Sequence, residues 1–194
     1  VIATGRGAQL GIFLKGHAAL ELSGTIDVVV FDKTGTLTNG QPHVTGVYTV
    51  DDDSAELILG WAATLEQHTS HPIATAIAAA AGPQSLPAPV EVVTDVGSGV
   101  RGVIDGVKVQ VGSPAWIARS AAVPAAIDAR RTDIERSGGT AVYVAADDAV
   151  RGLIDIRDGI KPSARQAVDE LHRMGIRTFL VTGDNAGAAQ RTAE

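Results

Sequence analysis

The sequence predicts an α/β fold in which a parallel sheet is interrupted by an inserted α+β domain with its own antiparallel sheet. Two segments, 25–38 and 176–194, share one pattern: an apolar strand followed by a polar turn rich in Thr, Gly and Asp. The chain is 45% hydrophobic but only 4% aromatic, so its core must be built from Val, Ile, Leu and Ala, which suits a parallel sheet covered by Ala-rich helices. The segment 46–154 lacks this pattern, and we expect it to form the insert.

Composition excludes several classes of protein. The net charge is −6, and no basic stripe interleaved with aromatic residues indicates a nucleic-acid surface. The absence of cysteine excludes disulfides and thiolate metal sites. We expect no membrane-spanning segment within this sequence, because no run of about 18 apolar residues occurs. Residues 1–20 do not have the pattern of a secretory signal.

The first half of the chain carries clear helix signals. Residues 1–23 have helical spacing broken by glycines and predict a lead-in helix. Residues 25–31 are typical of a short buried strand. Asp53 and Ser54 can cap a helix that runs to about Glu66. A second helix is predicted over 72–81, with proline at its first position.

The rest of the chain alternates between strands and helices. Residues 40–50 are expected to lead away from the first strand through Gly40 and Pro42. The Asp105–Gly106 pair between two β-rich runs predicts a hairpin turn. The remaining strands are predicted at 90–96, 100–104, 107–112, 141–145, 150–156 and 176–181. The remaining helices are predicted at 114–119, 124–137, 161–174 and from about 186.

Asp32 ends the first apolar strand, and Thr182, Gly183 and Asp184 follow the last one. Because ligands of open α/β sheets bind outside the carboxyl ends of the strands, we expect these residues to face one crevice if the strands are neighbours. A carboxylate there can attack phosphorus and form an aspartyl phosphate. Its own charge repels a phosphoryl group, so such a site needs Mg²⁺ and hydrogen-bond donors.

The heptapeptide DKTGTLT at 32–38 resembles the phosphorylation signature of P-type ATPases, within the haloacid-dehalogenase superfamily, at all seven positions. TGDN at 182–185 resembles the second phosphate-contacting motif of the family's phosphorylation (P) domain. GLIDIRDGIKPSA at 152–164 resembles the segment that returns from the family's insert, and Asp158 and Lys161 match its hinge positions.

The resemblance implies the arrangement of domains. An incomplete Rossmann-like P domain of the haloacid-dehalogenase type is expected over 24–45 and 155–194. The insert 46–154 is expected to be the nucleotide-binding (N) domain, and 1–23 a lead-in helix from the membrane. The N–P linkers are expected near 41–46 and 150–158.

The segment HTSHPIATAI at 68–77 resembles the heavy-metal-transporting (CPx-type) branch. That branch reads adenine and ribose with a Glu, the His of His-Pro and a Gly-x-Gly turn. The implied nucleotide-binding residues are Glu66, His71, Pro72, Gly97, Gly99, Val100 and Gly112. Two positions depart from the pattern: Thr69 stands where the family has Ser, and Ser113 follows Gly112 where a Gly-Asn pair is usual.

The resemblance also implies function. ATP would phosphorylate Asp32 with Mg²⁺ held by the Asp32 carboxylate and the Thr34 carbonyl, and Lys33 would add positive charge. Thr182, Gly183 and Asp184 would orient the phosphoryl group. The phosphoenzyme would drive transport of a metal cation through a membrane part outside this sequence. The segment itself would be a cytoplasmic domain of a plasma-membrane protein that binds ATP with little turnover.

Alternative interpretations remain open at this point. A soluble haloacid-dehalogenase-type phosphatase with a large cap usually has a second aspartate two residues after the nucleophile, where this chain has Thr34. A non-catalytic nucleotide sensor would not need Asp32. Taken singly, Gly97–Gly99 could be a plain hairpin turn and His71 a helix cap, and His68 with His71 could bind a metal.

Overall fold

The computed structural model describes residues 2–13, 22, 24–50, 53–67, 69, 71–83 and 86–181. In chain order the helices are α1 (Ile2–Gln9), α2 (Ala55–Glu66), α3 (Pro72–Ala81), α4 (Pro114–Ile117), α5 (Ala125–Arg136) and α6 (Pro162–Arg173). The strands are β1 (Val28–Asp32), β2 (His43–Thr49), β3 (Val90–Asp95), β4 (Gly99–Ile104), β5 (Val107–Gly112), β6 (Thr140–Ala146), β7 (Ala149–Arg157) and β8 (Arg177–Val181).

The chain divides into two compact units, the first drawn from Val1–Phe31 with Pro162–Leu180. In this unit β1 and β8 pair in a two-stranded sheet, and the predicted parallel sheet is confirmed. The two strands are neighbours, which is the condition under which the residues after them were expected to face one crevice. Helix α1 ends at Gln9, ahead of Gly11 with its φ of 76°, and most of the remaining predicted lead-in helix lies outside the described residues. None of the helices that the structure describes is long and apolar enough to cross a membrane.

The second unit, drawn from Asp32–Lys161 and Val181–Glu194, contains a six-stranded antiparallel sheet. The strand order is β2-β7-β6-β5-β4-β3, so consecutive hairpins build most of the sheet. Asp105 and Gly106 have φ values of 49° and 81° and join β4 to β5, as the Asp-Gly pair predicted. The insert is therefore the predicted α+β domain with an antiparallel sheet.

Strand β2 was not identified in the sequence analysis. Residues 40–50 were expected only to lead away from the first strand, and His43–Thr49 pairs antiparallel with β7. A bulge between Val44 and Gly46 shifts the register, and a Cβ on Gly46 would lie 3.1–3.3 Å from the Tyr48 ring. This glycine obscured an otherwise β-rich run. The predicted linkers are thus mostly strand, and the irregular segments are 39–42 and 158–161.

Helices cover both faces of this sheet. Helices α2 and α3 pack on one face over a core that includes Ile58, Leu65 and Ile77. Helices α4 and α5 pack on the other face, where Ile117 and Tyr143 are buried. The chain's low aromatic content therefore gives two thin aliphatic cores, one on each side of a single sheet.

Helix α2 begins as the sequence predicted. The Ser54 hydroxyl accepts a hydrogen bond from the Leu57 amide at 3.1 Å, which satisfies an amide of the first turn. Helix α3 begins at Pro72 and ends at Ala81, the predicted bounds. Glu66 is the last residue of α2, and His71 is the N-cap residue of α3. Only the short loop between the two helices separates them.

Replacing Gly152 with alanine should destabilise the insert. A Cβ at Gly152 would lie 2.8–3.0 Å from three side-chain atoms of the fully buried Ile58. Overpacking of this kind costs about 1–3 kcal/mol. Chemical denaturation of Gly152→Ala should show this loss. In a double-mutant cycle, Ile58→Ala should recover part of it; strict additivity of the two substitutions would contradict the contact.

Candidate functional site

Strand β1 presents Asp32 at its carboxyl end, and the Asp32 side chain is exposed. One turn of π-helix, Lys33–Leu37, follows and is closed by a hydrogen bond from the Thr38 amide to the Lys33 carbonyl at 3.1 Å. Gly35 has a φ of 75°, which favours glycine. The Lys33 side chain is buried, whereas nothing is described of the Thr34 side chain.

Thr38 and Asp158 anchor this turn. The Thr38 side chain is 1% exposed, and its hydroxyl donates to Asp158 Oδ2 at 2.5 Å. The same hydroxyl oxygen accepts from the Gly35 amide at 3.0 Å. Asp158 also accepts from the amides of Gly40 and Gln41, each at 3.1 Å. One carboxylate therefore fixes the chain on both sides of Asn39.

Further bonds join the turn to segment 158–161. The Lys161 ammonium donates to the Gly35 carbonyl at 2.8 Å, and the Lys161 amide donates to the Leu37 carbonyl at 2.8 Å. The Asn39 amide donates to the Gly159 carbonyl at 2.8 Å. The end of β7 is thus tied directly to the backbone that follows Asp32. The sequence analysis matched Asp158 and Lys161 to hinge positions but did not identify Thr38 as a partner.

Several predicted catalytic residues cannot be placed beside this turn. Thr182, Gly183 and Asp184 lie outside the described residues. Within the described ranges no group of three or more His, Asp or Glu side chains could hold a metal ion. The exposed Asp32 carboxylate and the Thr34 backbone carbonyl are hard oxygen donors. Mg²⁺ commonly binds one or two carboxylates together with substrate phosphates, so this donor set fits the ion.

Glu66 is the first of the predicted nucleotide-binding residues, and Thr69 contacts it. Glu66 is the last residue of α2 and is partly buried. The Thr69 hydroxyl donates to Glu66 Oε2 at 2.8 Å. Burial raises the pKa of the Glu66 carboxyl, and this effect is opposed by the Thr69 hydrogen bond and by the charge of His71. Glu66 therefore interacts with both Thr69 and His71, the first through a hydrogen bond and the second through its charge.

His71 is the N-cap residue of α3. Its Nδ1 accepts a hydrogen bond from the Ile73 amide at 3.2 Å, and Pro72 occupies the first helical position. The interpretation of His71 as a helix cap is confirmed, and the ring is still exposed. Because Nδ1 is an acceptor, the neutral ring carries its proton on Nε2.

The predicted glycines lie in and beside the β3–β4 turn. Gly97 has a φ of 76° and open space around it, so its conformation alone favours glycine. Gly99 pairs with Gly112 across β4 and β5. A Cβ on Gly112 would lie 2.5 Å from the Ser98 carbonyl oxygen and 2.9 Å from the Trp116 ring. A Cβ on Gly99 would lie 2.7 Å from the same ring.

Trp116 is the residue that the sequence analysis missed. Its indole lies over the paired glycines on the face that α4 and α5 cover. The backbone of the Gly-x-Gly segment is a hairpin turn, as the simpler interpretation proposed. Close packing of the Trp116 ring also explains why glycine occupies the paired positions 99 and 112. The sequence feature that could have indicated this role is the tryptophan itself, because the chain has only two.

Packing places the end of α2 over the same part of the sheet. A Cβ on Gly102 would lie 2.9 Å from Leu65 Cδ2, so α2 ends above β4. Gly99 starts that strand, about 10 Å from Gly102 at the usual rise per residue. Val100 is 1% exposed and belongs to the core under α2. Glu66 and the Gly-x-Gly turn are therefore positioned by the same strand.

A cavity of about 670 Å³ lies elsewhere, between α4, α5 and β6. Its polar groups bind one another: Arg131 contacts Asp128 at 2.8 Å and Glu135 at 2.6 Å, and the Tyr143 hydroxyl donates to Asp128 at 3.2 Å. Burial and the Asp128 charge raise the pKa of Tyr143 to about 12. This cavity holds none of the predicted site residues, and its charges are already paired.

An exposed aspartate at the end of a parallel strand, with an inserted domain beyond it, is an arrangement found in phosphoryl-transfer enzymes. The family model for haloacid dehalogenase-like hydrolases matches residues 26–194. The chain belongs to this family. The match begins just before β1 and includes the insert.

Relatives and solved structures show which proteins within this family the chain resembles. The chain is 45% identical to a copper-exporting P-type ATPase of Mycobacterium tuberculosis, over all of this chain and 25% of that protein. A zinc-transporting PIB-type ATPase in the E2.Pi state has 34% identity and a TM-score of 0.71, over 98% of this chain and 31% of that one. The catalytic CPx-ATPase domain CopB-B has 25% identity and a TM-score of 0.70, over 98% and 65%. The chain spans about a quarter of the length of the relatives it matches.

Asp158→Ala should loosen the chain after Asp32. It removes a charged acceptor from Thr38, Gly40 and Gln41, and a hydrogen bond to a charged group is worth about 1.5–3 kcal/mol. Hydrogen exchange at the amides of Gly40 and Gln41 should accelerate at least tenfold. The exposed Asp169→Ala is the control. Unchanged protection in Asp158→Ala would show that this carboxylate does not hold the turn.

Gly112→Ala should lower the stability of the insert. The added methyl would press on the Ser98 carbonyl and the Trp116 ring, at a cost of about 1–3 kcal/mol. The neighbouring Ser113→Ala, whose hydroxyl makes no capping bond, should leave stability within about 0.5 kcal/mol. Thermal unfolding checks both variants, and equal stability of the two would contradict the close packing.

Proposed function

We propose that this chain is the ATP-binding and phosphorylation region of a cation-translocating P-type ATPase of the heavy-metal branch. The observation that carries the proposal is the exposed Asp32 at the end of β1, followed by a turn that Thr38, Asp158 and Lys161 hold in place. The DKTGTLT sequence of that turn and the named metal transporters among the relatives support the same conclusion.

Phosphoryl transfer follows from the chemistry of Asp32. One carboxylate oxygen of Asp32 attacks the γ-phosphorus of ATP in line, and a new O–P bond forms. The bond from the γ-phosphorus to its bridging oxygen breaks, and ADP leaves with the electron pair. Water later attacks the phosphorus and releases inorganic phosphate, which restores the carboxylate. Lys33, Thr182, Gly183 and Asp184 are proposed to orient the phosphoryl group and stabilise its charge.

Magnesium fits this site through the Asp32 carboxylate and the Thr34 carbonyl. When bound, the ion would neutralise phosphate charge that otherwise repels the carboxylate. The soluble-phosphatase alternative is disfavoured by Thr34, because this position lacks the carboxyl acid that would speed hydrolysis of the aspartyl phosphate. A longer-lived phosphoenzyme is what a transport cycle needs.

The nucleotide is proposed to bind the insert. The proposed contacts are Glu66, His71, Pro72, Gly97, Gly99, Val100 and Gly112. Because 39–42 and 158–161 are the irregular segments at the base of β2 and β7, we place the hinge there. Closure at this hinge would bring the γ-phosphate to Asp32 and would be transmitted through Asp158.

The domain limits and the cellular setting belong to the same proposal. Residues 24–45 and 155–194 would form the P domain, 46–154 the N domain, and 1–23 the connection from the membrane. The transported ion would be a heavy-metal cation bound by a membrane part of the full-length protein. The region itself would be a cytoplasmic domain of a plasma-membrane transporter.

Two substitutions separate phosphorylation from nucleotide binding. In the full-length protein, γ-labelled ATP should transfer acid-stable label to Asp32, and Asp32→Asn should abolish it. In this chain, calorimetric titration should show ATP binding that survives in Asp32→Asn and weakens at least tenfold in His71→Ala. Label retained in Asp32→Asn, or ATP affinity that does not depend on His71, would overturn the corresponding half of the proposal.

A further inference from the structure

The Thr69 hydroxyl has a directed contact with the predicted base-reading carboxylate. It donates to Glu66 Oε2 at 2.8 Å and lies three residues beyond it, in the loop that follows α2. This bond occupies one carboxylate oxygen and fixes the plane of the group. The other oxygen, Oε1, keeps its lone pairs for a ligand donor.

His71 supplies the complementary group. Its Nδ1 is occupied by the Ile73 amide, and so the neutral ring presents Nε2–H as a donor. The loop thus offers an acceptor from Glu66 beside a donor from His71. An edge with an amine beside a ring nitrogen acceptor matches this pair, whereas an edge with a carbonyl beside a ring N–H opposes it.

We propose that Thr69 is a positioning residue that keeps Glu66 ionised and aimed, and that this sets the preference for 6-amino over 6-oxo purine nucleotides. The inference rests on the proposed nucleotide-binding function and deepens it. Its physical basis is that a hydroxyl donor stabilises the ionised carboxylate. A protonated Glu66 would become a donor and would accept a 6-oxo base.

The surroundings of Glu66 leave few other groups to control its charge. Burial raises its pKa, and among the described residues His71 is the ionisable neighbour that lowers it. Helix α3 itself carries no charged side chain. The charged residues of the other elements packed against α2 are His43, Arg101, Lys108, Arg151, Asp155 and Arg157. Each is next in sequence to a residue that faces α2, and alternation directs its own side chain to the opposite face of the sheet.

Removal of the Thr69 hydroxyl should change the protonation of Glu66 and leave the local structure intact. In Thr69→Val the carboxylate keeps its burial but loses its donor, so the pKa of Glu66 rises further. ATP affinity, which needs the ionised form, should then fall at a higher pH than in the unsubstituted chain.

The test compares ATP with ITP, which differs by a 6-oxo group and a proton on N1. Calorimetric affinities are measured over a series of pH values, because burial raises the pKa of Glu66. The chain is compared with Thr69→Val, which is isosteric, and Thr69→Ser, which keeps the hydroxyl. Because His68 is ionisable and lies outside the described residues, the series is repeated in His68→Gln.

The expected result is a fall of about tenfold in the ATP/ITP affinity ratio in Thr69→Val, roughly the loss of one charge-assisted hydrogen bond. The pH midpoint of ATP binding should move upward in this variant, and Thr69→Ser should restore both values. Equal losses for ATP and ITP without a shift in midpoint would assign Thr69 a purely structural role and overturn the inference. Absence of ATP binding by the unsubstituted chain would instead overturn the proposed function.

Discussion

The antiparallel pairing of β2 with β7 is the constraint on which the functional arrangement depends. This pair carries the chain into and out of the insert at one place, and its register runs from His43 with Arg157 to Thr49 with Gly152. Beyond the pair, Thr38 and Ile160 form one more antiparallel bridge. The two connections are thereby short and adjacent, so a movement of the insert must act on the segment that follows Asp32.

The carboxylate of Asp158 gives this connection its strength. It accepts hydrogen bonds from one hydroxyl and two backbone amides, and the Thr38 side chain that donates to it is almost fully buried. Charge-assisted bonds of this type are about twice as strong as neutral ones. These bonds fix the local backbone geometry on both sides of Asn39, in a segment where the hinge is proposed.

Close packing shapes the part of the sheet that is proposed to bind the nucleotide. Glycine at 99 and 112 leaves room for the Trp116 ring on one side of the sheet, and Gly102 leaves room for Leu65 on the other. The sheet is thus closely packed by α4 on one face and α2 on the other, near the turn that the nucleotide is proposed to contact. The hydrogen bond from Thr69 to Glu66 and the cap of α3 by His71 lie at the ends of the two helices that pack on this sheet.

Local chemistry in the sequence determined the elements whose causes lie within a few residues. Ser54 and Pro72 marked helix starts, Asp105–Gly106 marked a hairpin, and the strand before Asp32 predicted the exposed carboxylate. Tertiary structure decided the rest. Thr38 and Asp158 are 120 positions apart, and neither residue alone indicates the other. Trp116 and the paired glycines likewise meet only once β4 and β5 have aligned. Caps and turns are encoded by short-range backbone preferences, whereas these contacts depend on strand register, which no single stretch of the chain contains.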